Sequence, residues 1–490
     1  MFRLLSLTNV TGRPRTETNT LPPEHFKVVD YALDWRGSCL RLSLSYQHMV
    51  VHLLVRRSSV PDGERIPFET LLFDTIEQSW GGNHRNSKAI WHRRDSDEIE
   101  QPAQVCKLEE DLYNKAREHV PALLEGRNCP GAQLFAKLET ESDTDKIHAI
   151  LIGDIFQDIM APYLPVISPE NCKGVPRIEL SAIVSYVSCW ADHVWLVDIV
   201  LPSSGTPIRS VLKTPRLPGD GQMSDADDEL SHSSFREATV LTSLPPHPNV
   251  MPAPLALVTL KCSGDRTEDP IASDKLIGIV LPYFSGDPYD EVGLTSDEDL
   301  KRRLRHAYEF ASAVAHVNRH GFYVGDLGQH NIVLSAPPPN DRIVLIDFEL
   351  PPSWMAVAGE PAPEVKGEWV ASMQNNQLVY SRCENLVWKG DTIRTELANL
   401  PEALERLEIF GVGYSLSVMV QCPVYFPWLQ SCLRPWIHST GPEIPRQTSI
   451  KAWELRIPKD FTDLVQRCCS FDPRDRPLHE EIVAKLKQWA

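Results

Sequence analysis

Apolar and polar residues alternate, or β-branched residues cluster, in three early stretches: "VVDYAL" (28–33), "LRLSLSY" (40–46) and "MVVHLLV" (49–55). The pattern predicts strands. Between Glu109 and Leu124 the period changes, and Leu112, Ala116, Val120 and Leu123 fall at helical spacing. A Pro-, Gly- and polar-rich connector, "PVISPENCKGVPRIEL" (165–180), predicts a domain boundary near residue 172. After it, "VWLVDIV" and "PIRSVLK" flank "LPSSGT", which predicts a β-hairpin with Gly205 in its turn. The acidic, apolar-poor segment 218–232 predicts a loop, and "SSFREATVLTSL" a helix burying Phe235, Val240 or Leu241, and Leu244. From Leu300 the pattern is helical: Leu304, Ala307, Tyr308, Ala311, Val314 and Ala315 form one stripe, with Gly321 as its stop. The stretch 407–420, "LEIFGVGYSLSVMV", is apolar all round and predicts a helix buried inside a domain.

A β-rich half followed by a helical half predicts an α+β, two-lobed architecture, with a mixed α/β region (1–172) ahead of a second domain (173–490). Clefts between such lobes are common ligand sites. The length of 490 residues agrees with more than one core. A net charge of −17 argues against a nucleic-acid partner, since phosphate binding needs clustered Lys and Arg. The one dense basic run, "KRRLR" (301–305), reads as a solvated helix face. The 11 cysteines are odd in number and contain no CxxC pair, as expected of reduced thiols in an intracellular protein, cytoplasmic or nuclear. The N-terminal apolar run is too short for a secretory signal, and no stretch approaches the ~20 apolar residues of a membrane span. The expectation is a soluble protein without a membrane partner.

Chemistry concentrates in "VGDLGQHNIVLSAPPPNDRIVLIDFE" (324–349). Asp326 and Asn331 precede the apolar run "IVL", and Asp347 closes a second, "RIVLI". Two short strands joined by "SAPPPND" would bring Asn331 and Asp347 to the same end of a hairpin. A carboxylate and an amide oxygen suit Mg²⁺, a hard cation that keeps several waters and takes further oxygens from phosphates. Asp326, free of the metal, could accept a proton from an attacking hydroxyl or orient it. That combination is phosphoryl-transfer chemistry.

These residues resemble the protein-kinase superfamily: D-x-x-x-x-N, then an apolar strand and "DF", is met by Asp326, Asn331 and Asp347. "SVLK" resembles the family's strand lysine, which implies that Lys213 holds the α- and β-phosphates of ATP. "FREATVLTSL" followed by "HPNV" (247–250) resembles the helix whose glutamate, here Glu237, pairs that lysine. "IGIVLPYFSGD" (277–287) resembles the strand and hinge. It implies adenine binding through backbone groups at Pro282, Tyr283 and Phe284, with Asp287 closing the nucleotide-binding segment. "APE" (362–364) and "CCSFDPRDRP" (468–477) resemble two further motifs, whose Glu364 and Arg476 would pair. By contrast, "HRRDSDEIE" (92–100) only superficially resembles a catalytic triplet: no Asn follows at the required spacing, and it reads as an exposed charged loop.

The departures from the family pattern are specific. "YVSCWADHVWLVD" (186–198) stands where a Gly-rich loop belongs and contains no glycine. Val324 and Gly325 replace the usual His and Arg, Gly328 replaces a common Lys, and Glu349 replaces the glycine after "DF". "GD…N" with "IDFE" is similar to aminoglycoside and choline phosphotransferases. Glu408 stands where the family has an Asp in the central helix, and the segment after Asp347 is short, with Ser353 but neither Thr nor Tyr. The resemblance therefore implies an ATP- and Mg²⁺-dependent phosphotransferase, foremost a divergent serine/threonine protein kinase with an unidentified protein substrate. The alternatives are a pseudokinase that binds nucleotide or a partner protein, and a small-molecule phosphotransferase.

Overall fold

The three alternating stretches near the N-terminus do form strands, β1 (Phe26–Leu33), β2 (Cys39–Tyr46) and β3 (Met49–Arg56). The computed structural model describes residues 26–33, 39–46, 48–56, 114–124, 131–140, 147–167, 172–191, 193–215, 233–260, 274–286, 296–325, 327–348, 362–364, 368–383, 397, 400–420 and 456–490. The expected loops at 92–100 and 218–232, with Leu112, lie outside them. The architecture is mixed α+β, and among the described residues no helix is long and apolar enough to cross a membrane. The chain divides into two compact units, Leu5–Thr242 with Ala253–Tyr283 and Ser243–Pro252 with Phe284–Ala490.

In the first, β-rich unit, β4 (Gln133–Thr140) and β5 (Ile147–Asp154) extend β1–β3 into a sheet of order β1-β2-β3-β4-β5. The helix expected before β4 is present at 114–123, with Ala116, Val120 and Leu124 buried. Leu123 is only partly buried, because a spacing of four carries the stripe to the next leucine. A second sheet holds β6 (Val166–Ile167), β7 (Arg177–Ile178), β8 (Ile183–Ala191), β9 (Val194–Val200), β10 (Pro207–Lys213), β11 (Ala256–Leu260) and β12 (Asp274–Pro282). The predicted hairpin is β9–β10, antiparallel, with Gly205 at φ +63° in the turn.

Residue 172 lies within this unit. On one side of it β6 pairs with β12, and on the other β7 pairs with β11. The Arg177–Asp274 ion pair (3.1 Å) ties these edges. One hydrophobic cluster joins Val50, Leu54, Phe135 and Phe156 to Tyr186, Trp195, Val197, Leu212 and Val280. Inside it, the Tyr186 hydroxyl donates to the Gly131 carbonyl (2.8 Å), and Gln133 bridges Tyr186 and His52. Burial pushes the Tyr186 phenol well above its ordinary pKa.

In the second, helical unit, α2 (Asp297–Arg319) follows the predicted stripe, α1 (Ser233–Ser243) belonging to the β-rich unit. Ser296 caps α2 by accepting the Asp299 N–H, and three acidic residues occupy its first turn. Its end is a Schellman motif: the Phe322 N–H reaches the Val317 carbonyl, the Gly321 N–H reaches Asn318, and Gly321 has φ +79°. A side chain there would be strained, so the glycine is what turns the chain out of the helix. α3 (Pro401–Val420) carries the all-apolar stretch, buried on nearly every side, with α4 (Lys459–Cys468) and α5 (His479–Leu486) beyond it.

The basic run 301–305 corrects the expectation of a solvated face. Lys301 is exposed, but Arg303 is buried and donates to the Met419 carbonyl (2.9 Å). Arg305 reaches the fully buried Asp341 carboxylate (3.1 Å), and Arg302 and His306 lie 3.6 and 3.3 Å from it. Asp341 sits in the turn of a later hairpin, a pairing that no local spacing reveals.

Two predictions follow from this packing. Deleting residues 1–172 removes one side of a continuous core, so the remainder should melt without cooperativity and bind a hydrophobic dye. A sharp thermal transition for residues 173–490 would show that the second sheet folds alone. The other concerns pH. Burial lowers the His306 imidazole from 6.5 to about 4 despite the attraction of Asp341. Burial, then the neighbouring His316 and Arg319, does the same to His247. Both protonate more readily unfolded, so their contribution is complete above pH 6.5 and is lost as the pH falls toward about 4. For His306 the loss is at most about 3 kcal/mol. Protection factors of α2 amides, taken against the intrinsic exchange rate at each pH, should fall from pH 7 to 5, less so in His306→Gln.

Candidate functional site

Lys213 ends β10, a strand hydrogen-bonded on both sides, to β9 and to β12. Its Nζ donates to Glu237 Oε2 at 2.8 Å, both side chains being almost wholly buried. Glu237 comes from α1, which also buries Ala238 and, as predicted, Val240 and Leu241, with Leu244 buried just past its end, while Phe235 is only partly buried. The chain packs so closely here that a Cβ on Gly278 would lie 2.3 Å from the Lys213 carbonyl oxygen. Glycine at 278 is thus required for β12 to run beside the lysine.

Pro282 ends β12 opposite Ser210. Pro282, Tyr283 and Phe284 are each partly buried, and the chain passes from the β-rich to the helical unit between the last two. Asp287 lies outside the described residues. β8 and β9 are joined by just two residues, Asp192 and His193, and Asp192 is also undescribed. The His193 carbonyl accepts the Thr214 N–H (2.8 Å), continuing the β9–β10 ladder.

Asn331 and Asp347 are brought to one end of a hairpin, as the spacing predicted. β13 (Ile332–Leu334) and β14 (Ile343–Leu345) pair antiparallel, and the Ile346 N–H donates to the Asn331 carbonyl (2.9 Å). Asn331 is buried, and Asp347 is partly exposed. Asp347 adopts φ +69°, in the left-handed region, a conformation that costs a non-glycine residue about 1–3 kcal/mol. Buried polar groups hold the hairpin. Glu309 accepts the Ile343 N–H (3.0 Å), and Asn249 donates to the Ile343 carbonyl (2.9 Å). The Leu345 N–H donates to the Asn249 carbonyl, and the Met251 N–H to the Leu345 carbonyl.

The loop after α2 has no regular ladder, and α3 side chains bind its backbone instead. Glu408 Oε1 accepts the Val324 N–H (2.8 Å), while Oε2 accepts from Asn318 (3.2 Å). Ser415 donates to the Leu327 carbonyl (3.3 Å). The longer glutamate side chain therefore does reach the loop. Gly325 has φ +81°; Asp326, next along the loop, lies outside the described residues, as do Glu349 and Ser353.

Glu364 and Arg476 meet as a bidentate pair (2.6 and 2.9 Å), both buried, with the guanidinium 5.1 Å from the Phe410 ring centroid. Sequence spacing missed the hairpin of β15 (Trp369–Gln374) and β16 (Gln377–Arg382) that follows Glu364. Its signal was "NN": Asn375 and Asn376 both adopt positive φ, as a two-residue hairpin turn of this kind demands. Sequence reasoning also missed Asp341 and His479, whose partners come from distant elements.

No family model and no curated protein matches the chain.

The Glu364–Arg476 pair generates a quantitative expectation. Replacing either with Ala strands a buried charge, so each single variant should lose about 3 to 5 kcal/mol of stability. The double variant should lose less than the sum, and the coupling is read from a denaturation cycle. Small, additive losses would contradict the bidentate geometry.

Proposed function

We propose that this chain is an ATP- and Mg²⁺-dependent phosphotransferase of the protein-kinase superfamily, acting as a divergent serine/threonine protein kinase. The observation that carries the proposal is the buried Lys213–Glu237 pair at 2.8 Å, on a strand and helix in the order the resemblance requires. The held ammonium suits a phosphate oxygen, which it would orient as a point charge. Support also comes from the hairpin end, where Asn331 and Asp347 flank the paired strands and the Asp347 backbone is strained.

Asn331 and Asp347 would hold Mg²⁺, which when bound neutralises charge on phosphate oxygens. Their hard oxygen donors fit that cation. Asp326 is assigned to the hydroxyl that attacks, accepting its proton or orienting it, and the Glu408–Val324 hydrogen bond restrains the loop that carries it. Backbone groups at Pro282, Tyr283 and Phe284 are assigned to adenine. In this reading the two-lobed kinase arrangement is part of the proposal.

One observation favours a second reading, a pseudokinase that binds nucleotide or a partner without transfer. The two-residue, glycine-free β8–β9 connection offers few backbone N–H groups to phosphates, in contrast to a Gly-rich loop.

The test pairs binding with turnover on one preparation. Mg-ATP at 100 times its dissociation constant should stabilise the fold by about 2.7 kcal/mol, and radiolabel should pass to a Ser- or Thr-containing protein. Binding without transfer would favour the pseudokinase, and no thermal shift would remove the nucleotide site. Asp347→Asn should weaken Mg-ATP affinity together with rate. Asp326→Asn should keep affinity and lower the rate by about 10² to 10⁴-fold, and Lys213→Met should lower turnover more than affinity.

A further inference from the structure

His479 is the first residue of α5 and one of the few buried histidines of the helical unit. Its backbone N–H donates to Glu405 Oε1 (3.3 Å), and its imidazole Nε2 lies 3.5 Å from Glu408 Oε2. Neither ring nitrogen has a hydrogen-bond partner, although both are buried. An unpaired buried donor is costly, and 3.5 Å away lies the carboxylate that holds the Val324 amide. Glu405 and Glu408 stand one turn apart on α3, and both raise the nearby Tyr323 phenol, after burial, to about 12. From α2 the same carboxylate receives the Asn318 amide. A glutamate has one more rotatable bond than an aspartate, so a second donor to Oε2 beside Asn318 narrows the carboxylate's freedom and keeps Oε1 on Val324.

We propose that His479 is a positioning residue: its imidazole donates to Glu408 Oε2 and fixes the carboxylate whose Oε1 anchors the loop bearing Asp326. Through it the N-terminal end of α5 supports the loop with a group far away in sequence. The contact shortens from 3.5 Å to a charge-assisted hydrogen bond by a small rotation of either side chain. The kinetic part of this inference rests on the phosphotransferase reading, and the structural part does not.

The test compares full-length wild-type protein with His479→Leu, which removes the donor, and His479→Gln, which keeps a neutral N–H. Val324 amide exchange, transfer rate and ATP affinity are measured on each. The Leu variant should exchange Val324 about tenfold faster and transfer about tenfold more slowly with ATP affinity unchanged, the size expected for one hydrogen bond to a charged group. The Gln variant should recover both. Wild-type values in the Leu variant, or losses that Gln does not recover, would overturn the assignment. Should the Leu variant fail to fold, ¹⁵N spectra of wild-type His479 decide. A ring N–H protected from exchange supports the bond, and one exchanging freely overturns it. If the wild type transfers no phosphoryl group, the proposed function fails visibly, while Val324 exchange still judges His479.

Discussion

Glu408 binding the Val324 amide is the interaction on which the irregular backbone after α2 depends. A loop buried without a ladder must find partners for its N–H and C=O groups, since an unpaired one costs as much as a lost hydrogen bond. α3 supplies them from one apolar helix: Glu408 to Val324 and Ser415 to Leu327. Glu309 of α2 performs the same service for Ile343, and burial raises its carboxyl above the ordinary range. The buried Glu408, Ser415 and Glu309 of these helices thus pair with loop and strand-end backbone, and the hairpin presenting Asn331 and Asp347 is held in part by that means.

Charge follows the same rule. Lys213–Glu237 and Glu364–Arg476 are buried, as is the Asp341 carboxylate beneath its partly exposed arginines, and each is acceptable only because opposite charge is already in place. They differ in what surrounds them. Arg476 also donates to the Ser470 and Arg406 carbonyls, which locks its guanidinium into three segments of chain. That is a structural fastening. The lysine's ammonium is by contrast a compact point charge on a flexible stem, donating to Glu237 Oε2.

The β-rich unit shows a different economy. β6 and β7, before and after residue 172, add strands to the sheet that carries Lys213, and the first sheet shares its core. Whatever acts on residues 26–167 therefore acts on the packing beneath β9 and β10, since close-packed interiors transmit strain.

Much was legible in the sequence wherever the decisive physics is local. Strand alternation placed β1–β3, β9 and β10; helical period and Gly321 placed α2; and apolar content placed α3. The Asn331–Asp347 juxtaposition was legible too, because the two apolar runs are short and near enough to pair. Lys213 with Glu237, and Glu364 with Arg476, were read from motif order and met as expected. Only the tertiary structure decided which buried charges found partners far away in sequence. Arg302, Arg305 and His306 converge on Asp341, and His479 faces Glu408. The basic run looked like a solvated face because a period of 3.6 says which side of a helix is apolar, not which neighbouring turn brings a carboxylate. Nor could the sequence place the core that spans residue 172: a Pro- and Gly-rich connector marks where the chain turns, and the strands it joins are fixed by hydrogen bonds to β11 and β12, which come some eighty residues or more later.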